Sequence, residues 1–452
     1  MEIKFLGATG TVTGSKYLIT SGAKKLLVDC GLFQGFKQLR LRNWEPLPIE
    51  PSEIDAVVLT HAHLDHSGYL PLLIKEGFAG KVYCTEGTRE LCAVLLPDSG
   101  YLQEEDAERA NRHRYTRHSP ALPLYTQKDA ERSLSRFSPV AFDRDVDLGG
   151  GLSFRLSRAG HILGSSLVWV RSRGTSILFS GDLGRPHDPI MNPPAAVGRT
   201  DYLVVESTYG NRRHDPTDPQ KALAAVINRT VERGGMILIP SFAVGRTQTV
   251  LHEIRLLKSA GAIPDIPVFL NSPMAIEATD IFCGHAGEHR LSARDCRAMV
   301  EGVTFVNTVE DSKRLNRRTG PMIILSASGM ATGGRVLHHI ATFAPDPRNT
   351  VLFVGFQAGG TRGEAMVNGA PSVKIHGEYV TIKAEVVNLE GLSAHADFAE
   401  ILGWLDRFGS PPKTTFITHG EPAASDALRL RIGERLHWRC RIPEYLETAA
   451  LG

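Results

Sequence analysis

The chain's apolar patterning predicts an α/β fold, built as two domains or as one domain with a large insertion. Three observations carry this. Short apolar strands bounded by Gly, Thr and Ser turns fill the first two hundred residues. From residue 208 to 379 strands alternate with helical patterns, as in a parallel sheet covered by helices, which marks a separate domain. A length of 452 residues also exceeds what one hydrophobic core usually spans.

Residues 3–6, 16–20 and 25–29 read as successive strands, the third ending at Asp29. The glycines at 7, 10 and 14 lack dinucleotide-binding spacing and read as turns. The apolar run Ala56-Val57-Val58-Leu59-Thr60 reads as a buried strand, and it empties into His61-Ala62-His63-Leu64-Asp65-His66. Four imidazole or carboxylate groups in six residues, with no cysteine among them, suit zinc, with manganese or iron as alternatives. Residues 68–76 and 86–96 have helical spacing, and 104–118 is a charged run whose basic half is Arg109, Arg112, His113, Arg114, Arg117 and His118, with Tyr115 among them. Such a run is more often a solvated helix face or loop than a binding patch.

Strands follow near 152–157, 166–171 and 175–180, with His161 between the first two and Asp182 after the third. Alone, each of these two is an ordinary loop residue; after a cluster of four they supply the ligands a two-metal site still needs. Tyr202-Leu203-Val204-Val205 ends at Glu206. Beyond it, helices at 221–233 and 246–258 alternate with strands at 236–240, 268–270, 322–325 and 351–354. Ser241, Arg246, Ser328 and Arg362 stand at or near the ends of these strands, where ligands of open α/β sheets bind. Ser393 precedes His395, and Asp397 suits the N-cap of a helix to about residue 407. A strand at 414–418 then ends at His419, before a helix over 422–437.

A net charge of +2 with 22% charged residues excludes a binder that works through an overall basic field, so a polyanion must be held by a local groove. Six scattered cysteines without a Cys-x-x-Cys pair point to a reducing compartment. No apolar segment approaches about 18 residues. A soluble, cytoplasmic protein without membrane contact is expected, and no RNA-binding module is expected after the last helix.

The order Asp29, His61-x-His63-x-Asp65-His66, His161, Asp182 resembles the metallo-β-lactamase superfamily. The later Glu206, His395 and His419, with the α/β segment between them, resemble its β-CASP subgroup of RNA-processing nucleases. The resemblance covers nearly the whole chain and implies an αββα sandwich made of residues 1–207 and 380–452, with 208–379 as the inserted β-CASP domain and a cleft between them. It implies that His61, His63 and His161 hold one zinc, that Asp65, His66 and His419 hold a second, and that Asp182 bridges both; manganese is an alternative to zinc. Asp29 would orient a ligand, and His395, supported by Glu206, would be the general acid. A histidine at the position of His419 accompanies RNA rather than DNA substrates in this family.

The activity so implied is hydrolysis of single-stranded RNA, internal or from the 5′ end, leaving 5′-phosphate and 3′-hydroxyl ends. Phosphate contacts are expected from Ser241, Arg246, Ser328, Arg362 and Ser393, and self-association into a homo-oligomer is left open. Three rivals remain: a DNA nuclease of the same fold, a thioester or lactam hydrolase that has no need of the insertion, and an inactive scaffold, which would usually have lost ligand residues.

Overall fold

The computed structural model describes residues 1–114, 116 and 118–452. The chain forms two compact units, Met1–Arg213 with His395–Gly452, and His214–Ala394.

The first unit is built on two seven-stranded sheets. One runs, edge to edge, Thr448–Ala450, Glu2–Phe5, Tyr17–Ser21, Lys24–Val28, Ala56–Val58, Lys81–Cys84 and Phe137–Pro139. The other runs Cys440–Arg441, Thr414–Thr418, Tyr202–Glu206, Thr175–Phe179, Ser166–Ser172, Leu152–Arg158 and Asp145–Asp147. The period-two alternation of strand side chains sorts each strand between two cores. Tyr202, Val204, Phe179, Val168 and Phe416 join Ile3, Phe5, Val28 and Val58 between the sheets. Leu203, Val205, Leu178 and Leu167 face the other way, onto Ile401, Leu402, Trp404 and Leu405 of the helix Phe398–Leu405 and Leu428 and Ile432 of Pro422–Leu436. Strands buried on both faces explain the continuous apolar runs in the sequence.

Asp397 caps Phe398–Leu405, its carboxylate accepting from Ala399 N and Glu400 N at 2.8 and 2.9 Å. The helix predicted over 86–96 instead runs over Glu86–His113, through Pro97. Burial of Leu91, Cys92, Leu95, Leu96 and Ser99 carries it past the proline, and Gly100 lets the backbone at Gln127 approach so closely that a Cβ there would lie 2.7 Å from its nitrogen. The acidic half of the charged run therefore continues a helix rather than opening a loop, and Arg109, Arg112 and His113 finish it. Tyr115 and Arg117 lie outside the described residues.

The second unit has a six-stranded parallel sheet in the order Val303–Phe305, Val268–Leu270, Ile323–Ser326, Ile237–Pro240, Thr350–Phe353, Glu385–Asn388. Its core gathers Leu238, Phe269, Ile324, Val336, Ile340, Val351 and Phe353. The last strand marks a difference from the expected boundary at 379. Glu385–Asn388 pairs with Thr350–Phe353, so the chain leaves this unit only at Ala394. A small antiparallel hairpin, Ser372–Ile375 with Glu378–Thr381, also belongs to it. Among the described residues no helix is long and apolar enough to cross a membrane.

Candidate metal centre

The carboxyl ends of the first unit's strands deliver the candidate ligands to one place. Ala56–Val58 leads into His61 and His63, and the turn beyond it starts the short helix Leu64–Ser67, which carries Asp65 and His66 back toward them. Two strand ends turn off sharply, with Asp29 at φ +59° and His419 at φ +49°. Left-handed backbone is costly for residues with a Cβ and persists where surrounding bonds fix it. Here Asp29 N donates to Val58 O and His419 N to Ala8 O, at 2.9 and 2.7 Å. Gly31 is also required, because a Cβ there would lie 1.6 Å from Asp65 O.

Two donor sets result. His61 Nε2 lies 3.1 Å from His63 Nδ1, which lies 3.3 Å from His161 Nε2. Asp182 Oδ2 stands 3.4 Å from His61 Nε2 and 3.5 Å from His161 Nε2. In the second set His66 Nε2 is 3.1 Å from His419 Nε2, with Asp65 Oδ2 3.4 Å from His419 Nε2. Asp182 Oδ1 lies beside it, 3.1 Å from His66 Nε2 and 3.5 Å from His419 Nδ1. One carboxylate thus turns one oxygen into the first set and the other toward His66 and His419 of the second.

These spacings fit metal ions. Ligands about 2.1 Å from a tetrahedral ion stand about 3.4 Å apart, which is the separation seen among these nitrogens and oxygens. The protonation chemistry agrees. Burial, reinforced by neighbouring imidazoles, pushes His61 down to about 3 and His63 down to about 4, and holds His161 well below its ordinary value. Neutral imidazole is the ligand form. Around His66 the balance reverses: burial lowers it, but Asp182, Asp29 and Asp65 together hold it well above the usual range. Three carboxylates around one buried imidazole call for positive charge, which divalent cations supply.

Hydroxyls behind the histidines orient them. Thr60 Oγ1 donates to Asp29 Oδ2 at 2.9 Å, so its oxygen accepts from His61 Nδ1 at 3.0 Å and leaves Nε2 as the inward lone pair. Asp29 Oδ2 likewise accepts from His66 Nδ1 at 2.8 Å, and Thr208 Oγ1 pairs with His419 Nδ1 at 3.1 Å. Neither Thr60 nor Thr208 was picked out from sequence; the available signal was adjacency, since Thr60 precedes His61 and Thr208 lies two residues past Glu206.

His395 stands beside this centre and outside both sets. Its Nε2 is 4.0 Å from Asp182 Oδ2, and its Nδ1 is 3.2 Å from both oxygens of Glu206. Glu206 is itself fixed by Leu183 N at 2.5 Å and Thr208 N at 3.3 Å. Burial lowers His395, yet Glu206 and Asp182 outweigh it and the imidazole is held above its ordinary value.

The remaining predicted residues lie in the second unit. Ser241, Arg246, Ser328 and Ser393 gather at the carboxyl edge of its sheet: Ser241 N bonds Ser326 O at 3.0 Å, and a Cβ on Gly355 would come 3.8 Å from Ser393 Cα and 4.0 Å from Arg246 Nε. Ser241, Arg246 and Ser393 are buried there, and Ser328 Oγ bonds Thr332 Oγ1. Arg362 meets the same turn: its guanidinium donates to the carbonyls of Lys374, Ala331 and Thr332.

A sandwich whose strand ends hold two such donor sets defines a metal-dependent hydrolase. The sequence matches the Metallo-beta-lactamase superfamily over residues 9–233, the Beta-Casp domain over 247–366 and the Zn-dependent metallo-hydrolase RNA specificity domain over 371–443. The chain belongs to the β-CASP nuclease subgroup of the metallo-β-lactamase superfamily. It is 36% identical to a Thermus thermophilus protein named Ribonuclease TTHA0252 over 93% of both chains. It is 31% identical to Transcription termination factor FttA of Methanosarcina mazei over 100% of this chain and 72% of that one. A crystal structure of a protein of unknown function from Enterococcus faecalis V583 shares the fold, at TM-score 0.52 and 13% identity over 99% of both chains.

Proposed function

We propose that this chain is a cytoplasmic ribonuclease that hydrolyses phosphodiester bonds of single-stranded RNA with two divalent metal ions, zinc first and manganese as the alternative. It would leave 5′-phosphate and 3′-hydroxyl ends. The observation that carries the reading is Asp182, with one oxygen among His61, His63 and His161 and the other 3.1 Å from His66 of the second donor set. His61, His63 and His161 would hold one ion and Asp65, His66 and His419 the other. Bound there, the ions supply an acidified water as nucleophile and positive charge against the phosphate oxygens.

The chain's own residues do the rest. In-line attack breaks the bond from phosphorus to the 3′ oxygen, and that oxygen must gain a proton as it departs. His395 delivers it from Nε2, because its Nδ1 is engaged by Glu206. Asp29, Thr60 and Thr208 keep His66, His61 and His419 in the tautomers that present Nε2. Phosphate contacts are proposed from Ser241, Arg246, Ser328, Arg362 and Ser393. RNA rather than DNA is favoured by His419 and by relatives named as a ribonuclease and a transcription termination factor.

The test is incubation of the purified protein with end-labelled RNA and DNA of one sequence, with and without chelator. Chelator-sensitive cleavage of the RNA, with product ends that a 5′-phosphate-dependent ligase joins, is expected. Preferential DNA cleavage, or cleavage that survives chelation, overturns it.

A further inference from the structure

Phe36, Leu41 and Trp44 are 51%, 49% and 57% exposed, three large apolar side chains within one short segment. Phe36 caps the short helix Lys37–Leu41, Leu41 ends it and Trp44 closes the turn Arg42–Trp44 that follows; no residue of that helix is buried. The segment is nonetheless fixed. Buried Asn43 accepts from Phe33 N at 2.9 Å and donates to Phe33 O at 2.8 Å, and the Arg42 guanidinium lies over the Tyr445 ring at 4.1 Å. Its root is the metal-binding turn, since Cys30 N bonds His66 O and Leu32 N bonds Leu64 O, at 2.7 and 2.8 Å.

From Phe36 to Trp44 the strip carries Lys37, Arg40 and Arg42 and no acidic residue, Glu45 being the next residue; Lys37 and Arg40 are exposed. Single-stranded nucleic acid offers both complements at once, bases that stack on Phe36 and Trp44 and phosphates that meet Lys37 and Arg40. Base stacking tolerates any sequence, and phosphates are met singly by flexible cations.

Resting on the ribonuclease reading, we propose that Phe36, Lys37, Arg40 and Trp44 form a stacking platform that holds unpaired RNA, on the segment that follows the strand paired to the metal-binding turn. Two double variants test it, Phe36→Ala/Trp44→Ala and Lys37→Gln/Arg40→Gln, each assayed on a 20-nucleotide unpaired RNA and on bis(p-nitrophenyl) phosphate, a diester too short to span the platform. The expected result is a KM for the RNA raised about ten-fold by the aromatic pair, a shallower salt dependence of KM in the charge pair, and kcat on either substrate changed less than two-fold. An unchanged KM in both variants, beside wild-type cleavage of RNA, overturns the platform alone. Wild type that splits the small diester but not RNA overturns the ribonuclease reading and the platform with it. A drop in sedimentation mass on removing the aromatic pair, with KM unmoved, assigns the strip to a second copy of the chain and overturns the proposal. If the aromatic pair also stops turnover of the small diester, the charge pair decides.

Discussion

Both carboxylate oxygens of Glu206 lie 3.2 Å from Nδ1 of His395. The pair sets which way the activity responds to pH. Burial lowers the imidazole's pKa, but Glu206 and Asp182 raise it further, so the protonated form persists above the ordinary histidine range. An acid whose pKa is raised is competent below that value and is lost as pH rises through it. Glu206→Gln removes the charge that raises the imidazole most, so the alkaline limb of kcat should move to lower pH. A kcat profile from pH 6 to 10 on wild type and variant checks this; superimposable limbs contradict the role assigned to the pair.

His395→Ala should separate chemistry from metal binding. The imidazole lies outside both donor sets, so metal content should remain near that of wild type while kcat falls about 10²–10⁴-fold, the usual worth of a general acid. Elemental analysis alongside turnover decides, and loss of metal in the variant would reassign His395 as a ligand.

Asp29 Oδ2 accepts from His66 Nδ1 at 2.8 Å, and the role proposed for it is to orient that imidazole rather than to meet substrate. Asp29→Asn keeps the shape but cannot accept from both Thr60 and the imidazole with full charge. Metal affinity should fall about 10–100-fold, with kcat largely recovered at saturating zinc. Competitive chelator titration measures the first effect, and kcat that stays low at saturation would place Asp29 in the chemistry itself.

Lys16 offers a test of stability away from the reaction. It is buried, lies 4.7 Å from the Phe33 ring centre and 4.6 Å from that of Tyr69, and burial pushes its pKa from 10.5 to about 8. Between those values the unfolded chain binds more protons than the folded one, so this group's contribution to stability rises with pH. A shift from 10.5 to about 8 corresponds to about 3 kcal/mol against the protonated side chain at pH 7. Lys16→Met should therefore be more stable than wild type at pH 7, an advantage that shrinks as pH passes 8. Denaturant midpoints at pH 7 and 9.5 measure it; an advantage that grows with pH contradicts the assigned sign.

What the sequence could reveal tracked how local the information was. His61 to His66 were legible because four potential ligands are contiguous and follow a buried strand. His161, Asp182 and His419 were legible only as polar residues at strand ends, and their roles came from the order of motifs. The orienting hydroxyls of Thr60 and Thr208 were hidden, because a threonine beside a histidine acquires meaning only once the ring directions are known. Glu385–Asn388 was missed as the sixth strand of the second sheet, which is why that unit ends fifteen residues later than expected. For Arg362 the charge was visible and the three carbonyls it holds were not.

The most direct measurement is RNA cleavage by metal-depleted protein as zinc is added back in steps, with the metal bound per chain counted at each step. The account expects cleavage to be absent without metal and to level off when two ions per chain are bound. A plateau at one ion, or cleavage by the depleted protein, would contradict it.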